Sequence, residues 1–100
     1  VLITVLLATY NWPQALGLSL QSLRTQTDLN FEIVIVDDGS KEETRHKIFE
    51  FQKDFSVPIH HLWQEDLGFR KSRILNQGIA HAQGDYLVFL DGDCIVQLDF

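Results

Sequence analysis

Asp91-Gly92-Asp93 places two carboxylates one residue apart at the end of an apolar run, Tyr86-Leu87-Val88-Phe89-Leu90. Carboxylate oxygens are the hard ligands that Mg2+ and Mn2+ prefer. The intervening glycine lets the backbone approach whatever such a metal holds. A second acidic group, Asp37-Asp38-Gly39-Ser40, follows another apolar run, Phe31 to Val36. Turn chemistry accounts for Gly39 and Ser40. It does not account for two consecutive carboxylates on a buried edge. An ionised carboxylate only accepts hydrogen bonds, which suits the imide N–H of a base or the hydroxyls of a ribose. Asp93 is therefore a candidate direct metal ligand, and Asp91 a candidate for the metal or a ribose. Asp37 and Asp38 are candidates for the nucleoside.

Two further segments could complete such a site. Thr9-Tyr10-Asn11-Trp12 offers an aromatic ring that could stack on a base, with Thr9 beside it. The plainer reading is a helix cap with a packing aromatic. Arg70, Lys71 and Arg73 form the densest basic group in an acidic chain. A guanidinium fork suits a diphosphate, although acids beside bases are also what a solvated loop before a helix contains. His60 and His61 are adjacent, so in a strand they point to opposite faces and are poorly placed to share a metal. Cys94 has no paired base in sequence and reads as a small packed residue. Neither G-x-x-x-x-G-K-[ST] nor G-x-G-x-x-G after the first strand is present, which argues against an NTPase or a dinucleotide-dependent dehydrogenase.

These residues need elements to position them. Leu2 to Ala8, Phe31 to Val36 and Tyr86 to Leu90 are apolar runs that predict buried strands, and Pro58 to Trp63 reads as a further short strand. Between them lie three helical patterns. Leu16, Leu20 and Leu23 recur at helical spacing after Asn11 as a cap and Pro13 in the first turn. Ser40 and Glu43 read as a capping box opening a helix with Thr44, Ile48 and Phe51 on one face. Ile74, Leu75, Gly78, Ile79 and Ala82 share a face of a third helix, which Gln83-Gly84 stops. The order β-α-β-α-β-α-β predicts an α/β fold: a Rossmann-like open parallel sheet with helices on both faces. In such sheets ligands sit beyond the carboxyl ends of the strands. All the acidic groups above fall there. Like charges brought together call for a cation or hydrogen-bond donors.

Composition limits the alternatives. One hundred residues make one small domain, and 45% hydrophobic residues exclude disorder. The net charge of −6 leaves no basic stripe for a nucleic-acid backbone. The apolar stretch Val1 to Ala8 is far shorter than the ~20 residues a membrane span needs, and no basic segment precedes it as in a signal peptide. A single cysteine fits a reducing compartment. With no initiator Met and an end soon after Asp93, the chain reads as a fragment of a longer protein.

Taken in order, Ala8-Thr9-Tyr10-Asn11, Val36-Asp37-Asp38-Gly39-Ser40 and Asp91-Gly92-Asp93 resemble the family-2 glycosyltransferases of GT-A fold. Trp63 to Arg70 with Leu75-Asn76-Gln77-Gly78 resembles a bacterial branch related to polysaccharide and lipopolysaccharide sugar transferases. The resemblance covers the whole chain. It implies that residues 1–100 bind a nucleotide-diphosphate sugar, most often UDP-linked. Tyr10 and Asp38 match positions that hold the base, with Thr9 and Asp37 beside them. Arg73 lies near a position where an arginine contacts the nucleotide, and Arg70 precedes it. Leu75 stands where many relatives have arginine. Asp91 and Asp93 match the D-x-D pair that holds ribose and a divalent metal, Mn2+ or Mg2+. The implied reaction is an inverting single displacement by a hydroxyl of a carbohydrate or lipid-linked acceptor. In this family the catalytic base lies downstream of D-x-D, so no catalytic residue is assigned here. Nucleotide sugars are made in the cytoplasm, which implies a cytoplasmic location or the inner face of a membrane. Two alternatives stand beside this reading: a receiver-like Mg2+-binding regulatory module, and a nucleotide-sugar-binding fragment without turnover.

Overall fold

The computed structural model describes residues 2–26, 30–65 and 71–91, with only the backbone described for Lys71, Ser72 and Asp91. The elements run β1 (Ile3–Thr9), α1 (Pro13–Arg24), β2 (Phe31–Asp37), α2 (Glu42–Asp54), β3 (Ile59–Trp63), α3 (Lys71–His81) and β4 (Tyr86–Asp91). The strands form one parallel sheet in the order β3-β2-β1-β4. β-α-β crossovers of helical length produce this arrangement, and it carries every strand's carboxyl end to one edge.

Strand side chains alternate between faces, and the two faces carry separate cores. Val5, Leu7, Ile33 and Ile35 face one way and pack with Leu16, Leu20 and Leu23 of α1 and Ile48 of α2. Leu6, Val34 and Val36 face the other way and meet Ile74 of α3. Helices therefore cover both faces, as the element order predicts. α3 approaches closely because Gly78 has no side chain. A Cβ there would lie 2.6 Å from Val36 Cγ1 and 2.9 Å from Leu6 Cδ2.

Four expectations need correction. Asn11 does not cap α1: Trp12 holds the cap position and makes no side-chain bond there. Asn11 instead adopts φ 46°, a left-handed conformation that asparagine tolerates. Ser40 does not form a capping box either. Lys41 is the cap residue of α2, again without a side-chain bond, because the Ser40 hydroxyl is taken by the backbone N–H of Asn11 at 2.7 Å. Glu42 and Glu43 still supply the negative charge that a helix start favours. β4 is not a buried strand: it forms a sheet edge here, with Tyr86, Leu87 and Phe89 exposed. The apolar face of α3 is narrower than its periodicity suggests, since Ile79 is exposed and Ala82 lies past the helix end.

Candidate functional site

The carboxyl edge is assembled around the tip of β1. In register, Thr9 pairs with Asp37 of β2, and Ala8 pairs with Asp91 of β4. Neighbouring strands lie ~4.8 Å apart. The acidic tips of β2 and β4 thus flank β1 across roughly 10 Å.

The turn after β2 is held by a dense set of hydrogen bonds. Gly39 sits at φ 90°, where a side chain would be strained. Asp37 is completely buried. Its Oδ1 accepts the Ser40 N–H at 2.8 Å, and its Oδ2 lies 2.9 Å from His61 Nε2. Asp38 is 7% exposed. Its N–H donates to the Thr9 carbonyl at 3.4 Å, and its Oδ1 accepts from Gln64 Nε2 at 2.7 Å. Asn11 Oδ1 accepts the Lys41 N–H at 2.7 Å. Trp63 Nε1 donates to the Ser40 carbonyl at 3.0 Å. Buried carboxylates need such donors, because an unpaired charge away from water is costly.

The expected residues therefore separate. Tyr10 is half-exposed at the tip of β1. Thr9 is buried beside it, its carbonyl already engaged with Asp38. Asp38 keeps a small exposed surface, whereas Asp37 keeps none and is committed to the turn and His61. Arg73 is exposed in the first turn of α3. Arg70, Asp93 and the side chain of Asp91 lie outside the described residues.

Residue types alone did not reveal His61 and Trp63 as members of this edge, whereas Gln64 follows the third strand and falls there by topology. The strand pattern does place His61 and Trp63 on the same face of β3, and the register sets Trp63 level with Asp37. His61, Trp63, Lys41 and Arg45 also line an open cavity of about 520 Å3 on the α2 side. Among the described residues no three His, Cys, Asp or Glu side chains are grouped to hold a metal. A metal site would need the D-x-D carboxylates, which have the hard oxygen donors that Mg2+ or Mn2+ requires.

Four parallel strands with helices on both faces define a Rossmann-like α/β domain. The chain belongs to glycosyl transferase family 2: the family's sequence model matches residues 4–100. Membership decides against the receiver-like alternative. The chain is similar to the poly-beta-1,6-N-acetyl-D-glucosamine synthase of Staphylococcus aureus, 36% identical over 97 residues, covering 97% of this chain and 23% of that protein. It also resembles S. aureus TarS 1-349 solved with UDP-GlcNAc (TM-score 0.74, 27% identity), covering 93% of this chain and 27% of that chain. The Pyrobaculum calidifontis mannosyltransferase PcManGT, solved with GDP-Man and Mn2+, shares the fold at TM-score 0.81 and 24% identity, covering 91% of this chain and 27% of that one. The chain spans between 9% and 28% of the length of the curated relatives it matches.

Proposed function

We propose that this chain forms the donor-binding part of a glycosyltransferase that takes a sugar from a nucleotide-diphosphate sugar, UDP-linked, and passes it to an acceptor hydroxyl with inversion. The acceptor is a carbohydrate or a lipid-linked sugar in bacterial polysaccharide or lipopolysaccharide synthesis, and the reaction is cytoplasmic. The observation that carries this reading is the convergence of exposed Tyr10 with Asp38 at the strand tips, locked together by the Asp38 N–H to Thr9 carbonyl bond. Family membership and the UDP-GlcNAc complex of TarS support it.

In this proposal Tyr10 stacks on the base, and Asp38 accepts its imide N–H. Thr9 closes the pocket wall. Arg73 and Arg70 reach toward the nucleotide from the start of α3 and the residues before it, where a guanidinium can pair with phosphate. Asp91 and Asp93 hold ribose and a divalent cation, Mn2+ or Mg2+. When bound, that cation offsets the charge growing on the departing diphosphate. This chain's residues orient the donor, and none of them is assigned as the base that deprotonates the acceptor. Among the described residues no helix is long and apolar enough to cross a membrane.

Calorimetric titration of UDP into the full-length protein, with and without Mn2+, tests the proposal. Metal-dependent binding that disappears in Asp93→Ala is expected. Absence of binding under both conditions would overturn it. The chain by itself is expected to bind without turning over, and sugar transfer by the isolated 100 residues would refute that part.

A further inference from the structure

We infer that His61 and Asp37 are a positioning pair: His61 fixes the Asp37 carboxylate, and through it the turn that carries Asp38 into the donor site. The inference rests on the donor-binding reading above. It also gives Asp37 a different task from the direct ligand contact that its sequence position suggests.

The geometry excludes direct contact. Asp37 has no exposed surface, so a ligand reaches its carboxylate only if the turn opens. A buried carboxylate needs a donor on each oxygen. Oδ1 has the backbone N–H of Ser40 and Oδ2 has His61 Nε2. Because a carboxylate only accepts, Nε2 must carry the hydrogen, a tautomer assigned here from its partner.

Trp63 at the end of β3 and Gln64 just after it grip the same turn at three further points. Gln64 N–H donates to the Asp37 carbonyl at 3.1 Å. Gln64 Nε2 donates to Asp38 Oδ1, and Trp63 Nε1 to the Ser40 carbonyl. From the opposite side the tip of β1 holds it through Thr9 and Asn11. The His61 bond is the one among these that satisfies a completely buried charge. Removing it leaves Asp37 with one donor. The carboxylate then turns toward water for a second donor, which displaces Ser40 and, with it, Asp38. His61 is itself on β3, level with Ile35 rather than with the turn, so it acts on the nucleotide through Asp37 and not by contact.

Three variants of the full-length protein test this by UDP calorimetry in the presence of Mn2+, each with its melting temperature. His61→Gln places an amide nitrogen near the position of Nε2. His61→Asn is one methylene shorter and cannot reach Oδ2. His61→Phe fills the space with no donor. Loss of a hydrogen bond to a buried charge is expected to weaken UDP binding about ten-fold or more in His61→Asn and His61→Phe. His61→Gln should restore affinity to within about three-fold of the parent, because a charged acceptor regains its donor. If His61→Phe does not fold, the Gln and Asn pair still decides. Equal UDP affinity in those two, or an unchanged His61→Phe, overturns the inference alone. A parent protein that binds no nucleotide diphosphate overturns the donor-binding reading and this inference with it.

Discussion

At the amino end of β2, Glu32 is 3% exposed on the face covered by α3; at the other end, about 16 Å along the strand, Asp37 is fully buried on the face covered by α2. Each meets a histidine of β3, and the two histidines are neighbours. His60 Nε2 lies 3.7 Å from Glu32, and His61 Nε2 lies 2.9 Å from Asp37. The carboxylates differ in what their other bonds join. Glu32 accepts the Thr4 hydroxyl at 2.6 Å and the Gln83 N–H at 2.7 Å. Gly84 N–H donates to the same Thr4 hydroxyl at 2.9 Å. That network ties β1, β2 and the segment leading into β4, far from the ligand edge. Asp37 ties a turn beside Asp38 and exposed Tyr10. A buried acid does not by itself mark a site. Its position along the strand decides whether it braces the sheet or shapes a pocket.

The largest effect should come from breaking the brace. Glu32→Ala leaves the Thr4 hydroxyl, the Gln83 N–H and His60 without their shared acceptor. A buried donor left without its acceptor costs about 1–3 kcal/mol, and two of them lose theirs together, readable as a fall in the urea midpoint. UDP affinity of the molecules that remain folded should change little. A Glu32→Ala protein that keeps its stability but loses UDP would reverse the comparison.

Next is Asp38→Ala, at the pocket end. On the donor-binding proposal it removes the acceptor for the base, worth about 2 kcal/mol, or roughly 30-fold in UDP affinity. Calorimetry should show that loss with the melting temperature lowered by only a few degrees. If stability falls and affinity does not, Asp38 is a brace like Glu32.

A pH series separates the two ends further. Burial alone would raise the Glu32 carboxyl, but hydrogen bonds from Thr4 and Gln83 and the nearby His60 and His81 outweigh it and hold the group below its ordinary value of 4.5. His81 sits edge-on to the His60 ring at 4.9 Å. For a lowered carboxylate the sign is fixed: the native state resists protonation, so the stabilisation is complete above pH 4.5. It is lost as pH falls through the lower folded value. Urea midpoints should therefore drop below pH 4.5 in the parent and drop less in Glu32→Gln.

How much of this could be read from residues depends on which interactions are local. Element order and sheet direction were legible because they follow from apolar runs in β1 and β2 and from leucine spacing in α1. The acidic edge followed from topology alone. The caps were misread at Asn11 and Ser40, since local propensity cannot show that these two side chains bond each other's segments across 29 and 30 positions. The division of labour between Asp37 and Asp38 was equally hidden. It depends on His61, 24 residues away, arriving on the same face. β4 looked buried because its composition is apolar, yet burial there depends on what lies beside it in the sheet.

The smallest effect tests whether the pocket end uses surface as well as charge. Tyr10 stands half-exposed at the tip of β1. Its exposure makes sense if a flat ligand covers it. Stacking of a base on an aromatic side chain is worth about 1 kcal/mol at the low end, so Tyr10→Ala should weaken UDP roughly 5-fold while stability stays nearly level. Tyr10→Phe keeps the ring and should keep the affinity. A Phe variant as weak as Ala would shift the contribution from ring to hydroxyl, and the tip of β1 would then act through hydrogen bonds, as Asp38 does.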